Sequence, residues 1–105
     1  MRSKFDEQLQ ELNKEMIGMG DKIVKSIVNA IEALMNRDVE LAKQIMEADS
    51  AVDQMQKKIE GICFNLLIQQ QPVARDLRTV TAAMKMVTDM ERIGDHATNI
   101  AEWVI

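Results

Sequence analysis

The sequence predicts an all-α fold, an antiparallel bundle of three long helices. Three observations carry this. Apolar residues recur in steps of three and four along nearly the whole chain, the runs break only near residues 36–38 and 69–72, and 47% apolar content is combined with three aromatics, Phe5, Phe64 and Trp103. Nine methionines and many aliphatics suit interdigitating helices better than strands, which favour aromatic and β-branched side chains.

The first helix is expected over about residues 3–36. Ser3 is its expected N-cap, and Asp6 and Glu7 fall in the first turn, where negative charge complements the exposed amides. Phe5, Leu9, Leu12, Met16, Met19, Ile23, Ile27, Ala30 and Leu34 share one face, and Asn36-Arg37-Asp38 supplies the turn. Gly18 and Gly20 lie inside this helix at a cost of about 1 kcal/mol each relative to Ala. They are read as permitting a bend or a close helix contact, or as an irregularity without a role.

The second helix is expected over about 38–69, capped by Asp38. Its seam alternates steps of four and three through Leu41, Ile45, Ala48, Val52, Met55, Ile59, Ile62 and Leu66. Gln69-Gln70-Gln71 ends it ahead of Pro72, because the residue before a proline is pushed out of the helical region. Pro72 is placed at the first position of a third helix, over about 72–105, with Asp76 near its N-terminus. Short connections make the neighbours antiparallel.

The third helix opens with a seam at Val73, Leu77, Val80, Met84 and Val87. Continued at the same spacing, that seam meets Glu91, Gly94, Thr98 and Ala101. A second apolar stripe, Met86, Met90, Ile93, Ala97, Ile100 and Val104, is expected to take over on nearly the opposite side. The first face then becomes an acidic strip of Glu91, Asp95 and Glu102, with Thr98 and Asn99 between. Glu91 and Asp95, four residues apart, repel each other on one face unless something compensates. A hard cation accepts such oxygen ligands, with Gly94 letting a metal shell or a partner helix approach; Arg92 or a basic residue on a neighbouring helix is the plainer compensation. Asp49 and Asp53 repeat the spacing on the second helix.

Charge and composition exclude several functions. With 17 acidic against 13 basic residues the net charge is −4, and no basic stripe exists for a nucleic-acid backbone. No apolar run approaches the ~20 residues of a membrane span, so no direct membrane insertion is expected. Cys63 is the single cysteine, expected as an inert core thiol in a reducing, cytoplasmic setting. His96, the single histidine, is expected as a hydrogen-bonding residue. It completes neither a nucleophilic relay nor the paired Glu-x-x-His motifs of a di-iron bundle, so no enzyme is expected.

Four segments resemble the PhoU family of bacterial regulators of phosphate uptake. They are FDEQLQELNKEMIGMG (5–20), RDVELAKQIMEADSAVDQM (37–55), QQPVARDLR (70–78) and MKMVTDMERIGDHATNIAE (84–102). The resemblance implies two similar three-helix repeats, each with an E(D)xxxD motif that holds multinuclear metal clusters in some members. Here the motif is Glu91-Arg92-Ile93-Gly94-Asp95. It implies metal ligands at Glu91 and Asp95, with weaker expectations for Asp49, Asp53 and Asn99; iron, manganese, zinc and magnesium are the candidate ions. Arg75, Asp76 and Arg78 match the family's third-helix entry, where ion pairing is expected. Implied partners are the ATPase subunit of the phosphate ABC transporter and the phosphate-sensor histidine kinase, placing the chain peripheral to the inner membrane. The sequence departs from the family in holding one repeat. It is therefore expected either to be part of a longer protein or to pair with its own copy as a homodimer, which apolar Trp103, Val104 and Ile105 would favour. The alternative is a helical dimerisation scaffold without signalling or metal.

Overall fold

Heptad spacing leaves each helix with an apolar side that only another helix can cover, and the chain resolves this as a rod of 55 × 18 × 16 Å. The structure, a computed structural model, describes residues 3–69 and 73–105, and the side chains of all of these except 3 and 69. Helix α1 spans Ser3–Asn36, α2 Val39–Gln69 and α3 Ala74–Val104, each packed on the other two. The side chain of Ser3 and the placement of Pro72 lie outside what is described.

The turn between α1 and α2 is closed from both sides. Arg37 takes a left-handed φ of 52°, and Asp38 N–H donates to the Ala33 carbonyl at 2.9 Å while Arg37 N–H donates to Leu34 at 3.4 Å. This is the reversal that satisfies the last carbonyls of a helix. Asp38 then caps α2 as expected: its Oδ1 accepts from Leu41 N–H at 3.0 Å. A non-glycine residue in the left-handed region costs roughly 1–2 kcal/mol, against about 0.5–1 kcal/mol of extra unfolded-state entropy for glycine. Arg37→Gly should therefore stabilise the domain by up to about 1 kcal/mol, raising Tm by roughly 4–8 °C in thermal unfolding followed by circular dichroism. A lower Tm would contradict this reading of the turn.

The main core joins Phe5, Leu12, Met19 and Ile23 of α1 to Val52, Ile59, Cys63 and Leu66 of α2 and to Val80, Ala83 and Val87 of α3. Cys63 is buried, and its desolvation pushes the thiol pKa up, which suits the expected inert role. A second cluster at the α1–α2 turn is built largely of alanine: Ala30, Ala33, Ala42, Ile45, Ala97 and Ala101. The α2 seam is occupied as expected, with Ala42 and Cys63 buried more deeply than their neighbours Leu41 and Ile62. Lys58 Nζ reaches Glu15 Oε1 at 2.5 Å between α2 and α1, and that bond raises the lysine pKa.

Three expectations need correction. Leu34 is exposed and Ala33 is buried in its place, because the turn at Arg37 brings the start of α2 against that side of α1. Helix α3 begins at Ala74 after an extended Val73, two residues later than expected, which puts Asp76 in its first turn. The largest correction concerns the seam of α3, which does not change sides. Val80, Ala83, Val87, Gly94, Ala97 and Ala101 are all buried on one continuous face, whereas Leu77, Met84, Met86 and Ile93 are exposed. Small residues replace large ones there because the helices close together. A methyl group placed on Gly94 would lie 3.5 Å from Val52 and 3.8 Å from Ile23, one from each neighbouring helix. Those placed on Gly18 and Gly20 would meet only the tips of Met55 and Met90, and α1 runs unbroken through both.

Candidate functional site: an acidic cluster between the second and third helices

Because the α3 seam continues straight, Glu91 and Thr98 lie beside Gly94 at the edge of the buried face and look toward α2. Both are half-buried, as are Asp49 and Asp53 on α2, while Asp95 is exposed. Thr98 fixes the junction. Its hydroxyl lies 3.1 Å from Asp49 Oδ1 and 3.3 Å from the carbonyl oxygen of Gly94, within hydrogen-bonding reach of both. This contact joins residues forty-nine positions apart.

The electrostatics are those of crowded like charges. Partial burial raises the Glu91 pKa first; Asp95, to which a protonated Glu91 donates, raises it further, and the charges of Asp53 and Asp49 add to the effect. No basic side chain offsets them: among the described residues Arg92 pairs instead with Asp89, at 3.9 Å, and no ion pair reaches the cluster. The expected compensation by Arg92 or a neighbouring helix is therefore not what the fold provides.

The cluster thus gathers Glu91 and Asp95 with Asp49 and Asp53, the pairs noted on each helix. Asn99 and Glu102 are exposed and do not act on Glu91, and His96 is exposed as well. Thr98 is the member whose importance sequence reasoning missed; its position seven residues after Glu91 and four after Gly94 was the available signal. In donor chemistry the cluster fits a hard cation, being all carboxylate and hydroxyl oxygen. In geometry it is open: among the described residues no three His, Cys, Asp or Glu side chains converge where they could share one ion.

A carboxylate whose pKa is raised by folding holds its proton more tightly in the folded state. The associated stability is fully present below the ordinary carboxylate pKa and is lost as pH rises through the raised value. In chelator-treated protein, Glu91→Gln should therefore leave Tm unchanged below that window and raise it at neutral pH. A Tm difference that does not grow with pH would show that Glu91 carries no such burden.

The chain matches the family model described as the PhoU domain over residues 16–104. It is 43% identical over 102 residues to the phosphate-specific transport system accessory protein PhoU homolog of Clostridium acetobutylicum, covering 96% of this chain and 47% of that protein. The corresponding protein of Aquifex aeolicus is 37% identical, with 97% and 46% covered. The crystal structure of PhoU from Pseudomonas aeruginosa superimposes with a TM-score of 0.94 at 36% identity, covering 96% of this chain and 48% of that one. That of the phosphate transport system regulatory protein PhoU from Streptococcus pneumoniae gives 0.89 at 38%, covering 95% and 47%. The chain spans about half the length of the curated relatives it matches. With a family-model match over residues 16–104 and the same three-helix unit, the chain belongs to the PhoU family.

Proposed function

We propose that this chain is a non-enzymatic negative regulator of phosphate uptake and of the phosphate-starvation response. It acts as an adaptor between the ATPase subunit of the phosphate ABC transporter and the phosphate-sensor histidine kinase, on the cytoplasmic side of the inner membrane and as a homodimer. The observation that carries this reading is the match along nearly the whole chain to proteins named for a phosphate-specific transport system. Among the described residues no helix is long and apolar enough to cross a membrane, consistent with attachment through partners.

The metal half of the proposal places iron, manganese, zinc or magnesium, as a single ion or a multinuclear cluster, at Glu91 and Asp95 with help from Asp49 and Asp53. It is supported by four carboxylates that, among the described residues, no ion pair offsets. The other reading, a helical dimerisation scaffold without metal or signalling, draws on the open geometry of the same carboxylates. Cells lacking the gene decide between them. The regulator reading expects phosphate-starvation genes to be expressed in abundant phosphate, and expects the tagged chain to co-purify with the transporter ATPase and the kinase. Unchanged expression together with recovery of neither partner would leave the scaffold.

A further inference from the structure

One row of α1 runs along its contact with α2. Glu11, Glu15, Gly18, Lys22, Ser26 and Asn29 follow in it by steps of four and three. Before Gly18 the row is acidic, and α2 answers with Lys58, which bonds Glu15 and feels the charge of Glu11. After Gly18 the row changes sign, and α2 gives no such answer.

Lys22, Lys25, Ser26 and Asn29 line a groove of about 180 Å³ together with Gln44 of α2, over a floor that includes buried Ile45. Every polar side chain of that lining can donate a hydrogen bond, and none is acidic. Glu47 and Asp49 flank Ala48 on α2 without lining the groove, and Asp21 forms no ion pair with either lysine.

The donors are also unengaged. Among the described residues these side chains take part in no hydrogen bond and no ion pair. Ser26 is the informative one. Ser50, Thr79, Thr81, Thr88 and Thr98 each donate their hydroxyl to a carbonyl three or four residues earlier, the usual partner inside a helix. Half-buried Ser26 does not, and among the described side chains its hydroxyl alone stays unpaired.

What the groove lacks is an acceptor carrying negative charge, in a chain whose own net charge is −4. Two ammonium groups match the roughly −1.5 to −2 charge of a phosphate group at neutral pH, and a hydroxyl with two amides serves its remaining oxygens. A carboxylate would leave one lysine unmatched. The volume holds about six waters at about 30 Å³ each, room for one such group and well short of the ~300 Å³ at which pockets begin to enclose drug-sized ligands.

We infer that the groove between α1 and α2 binds one phosphate group through Lys22, Lys25 and Ser26, with Asn29 and Gln44 completing the site. The group arrives as the free ion or as the end of a phosphomonoester. The inference rests on these side chains and stands whether or not the chain is the regulator proposed above.

Isothermal titration calorimetry of the chelator-treated chain tests it, since bound metal is another means of holding phosphate. Inorganic phosphate should bind at a single site per chain, and acetate roughly tenfold more weakly. Lys22→Gln and Lys25→Gln should each weaken phosphate binding by roughly tenfold and Ser26→Ala by roughly threefold to tenfold, with helical content by circular dichroism unchanged. Lys4→Gln and Lys57→Gln remove the same charge from exposed positions outside the groove. In about 0.1 M salt, which screens charges beyond about 10 Å, they should change binding by less than about twofold. Phosphoserine separates the two sources: tighter binding than inorganic phosphate makes the site the seat of a monoester, and weaker binding makes it a site for the free ion. Absence of binding by both ligands would overturn the site, as would losses at Lys4→Gln and Lys57→Gln equal to those of the groove variants. Failure to recover the transporter ATPase or the kinase bears on the regulator alone.

Discussion

Ile59→Ala should destabilise the domain by about 2–5 kcal/mol, seen as a Tm lower by roughly 10–30 °C. Ile59 is fully buried in the middle of the main core, where it packs with residues of all three helices. Truncation removes its transfer free energy and leaves a cavity that the rod, only two helix diameters thick, can close only by shifting a whole helix. Exposed Ile68, nine residues after Ile59 on the same helix, provides the comparison: Ile68→Ala should change stability by less than about 1 kcal/mol. Equal losses at the two positions would mean that the core is not where the packing places it.

The second large effect concerns metal. Four carboxylates without a cation oppose folding, and an ion that satisfies them in the folded state alone stabilises it by mass action, by about 2.7 kcal/mol at a concentration one hundred times Kd. Chelator-treated wild type should thus gain roughly 10–20 °C in Tm on addition of the right ion among iron, manganese, zinc and magnesium. The Glu91→Gln, Asp95→Asn variant should start higher at neutral pH, since its repulsion is gone, and should gain nothing. A gain shared equally by both proteins would place the ion elsewhere.

Most of the fold was legible because the chain repeats one instruction. The α2 seam from Leu41 to Leu66 and the cap at Asp38 involve neighbours in sequence, and both stand where local spacing puts them. Leu34 was misjudged because steps of three and four from Ala30 are equally helical, and only the approach of α2 selects Ala33. The apparent change of face in α3 arose from reading size as burial. Gly94, Ala97 and Ala101 look weakly apolar, yet they are buried because small residues admit close helices, while larger Met86 and Ile93 are left outside.

The site was half legible for the same reason. Spacing alone paired Glu91 with Asp95 and Asp49 with Asp53. That the two pairs belong to one cluster depends on the register of α2 against α3, which no local pattern states. The bond between Thr98 and Asp49 expresses that register directly. The straight seam also changes the character of Glu91, which stands half-buried at a helix contact instead of on a solvated strip.

The most direct test of the metal-bearing regulator is elemental analysis of the native chain purified without added metal, beside the Glu91→Gln, Asp95→Asn variant prepared identically. Iron, manganese, zinc or magnesium should be found near or above one ion per chain in the wild type, and most of it should be lost in the variant. Equal metal content in the two proteins would contradict it.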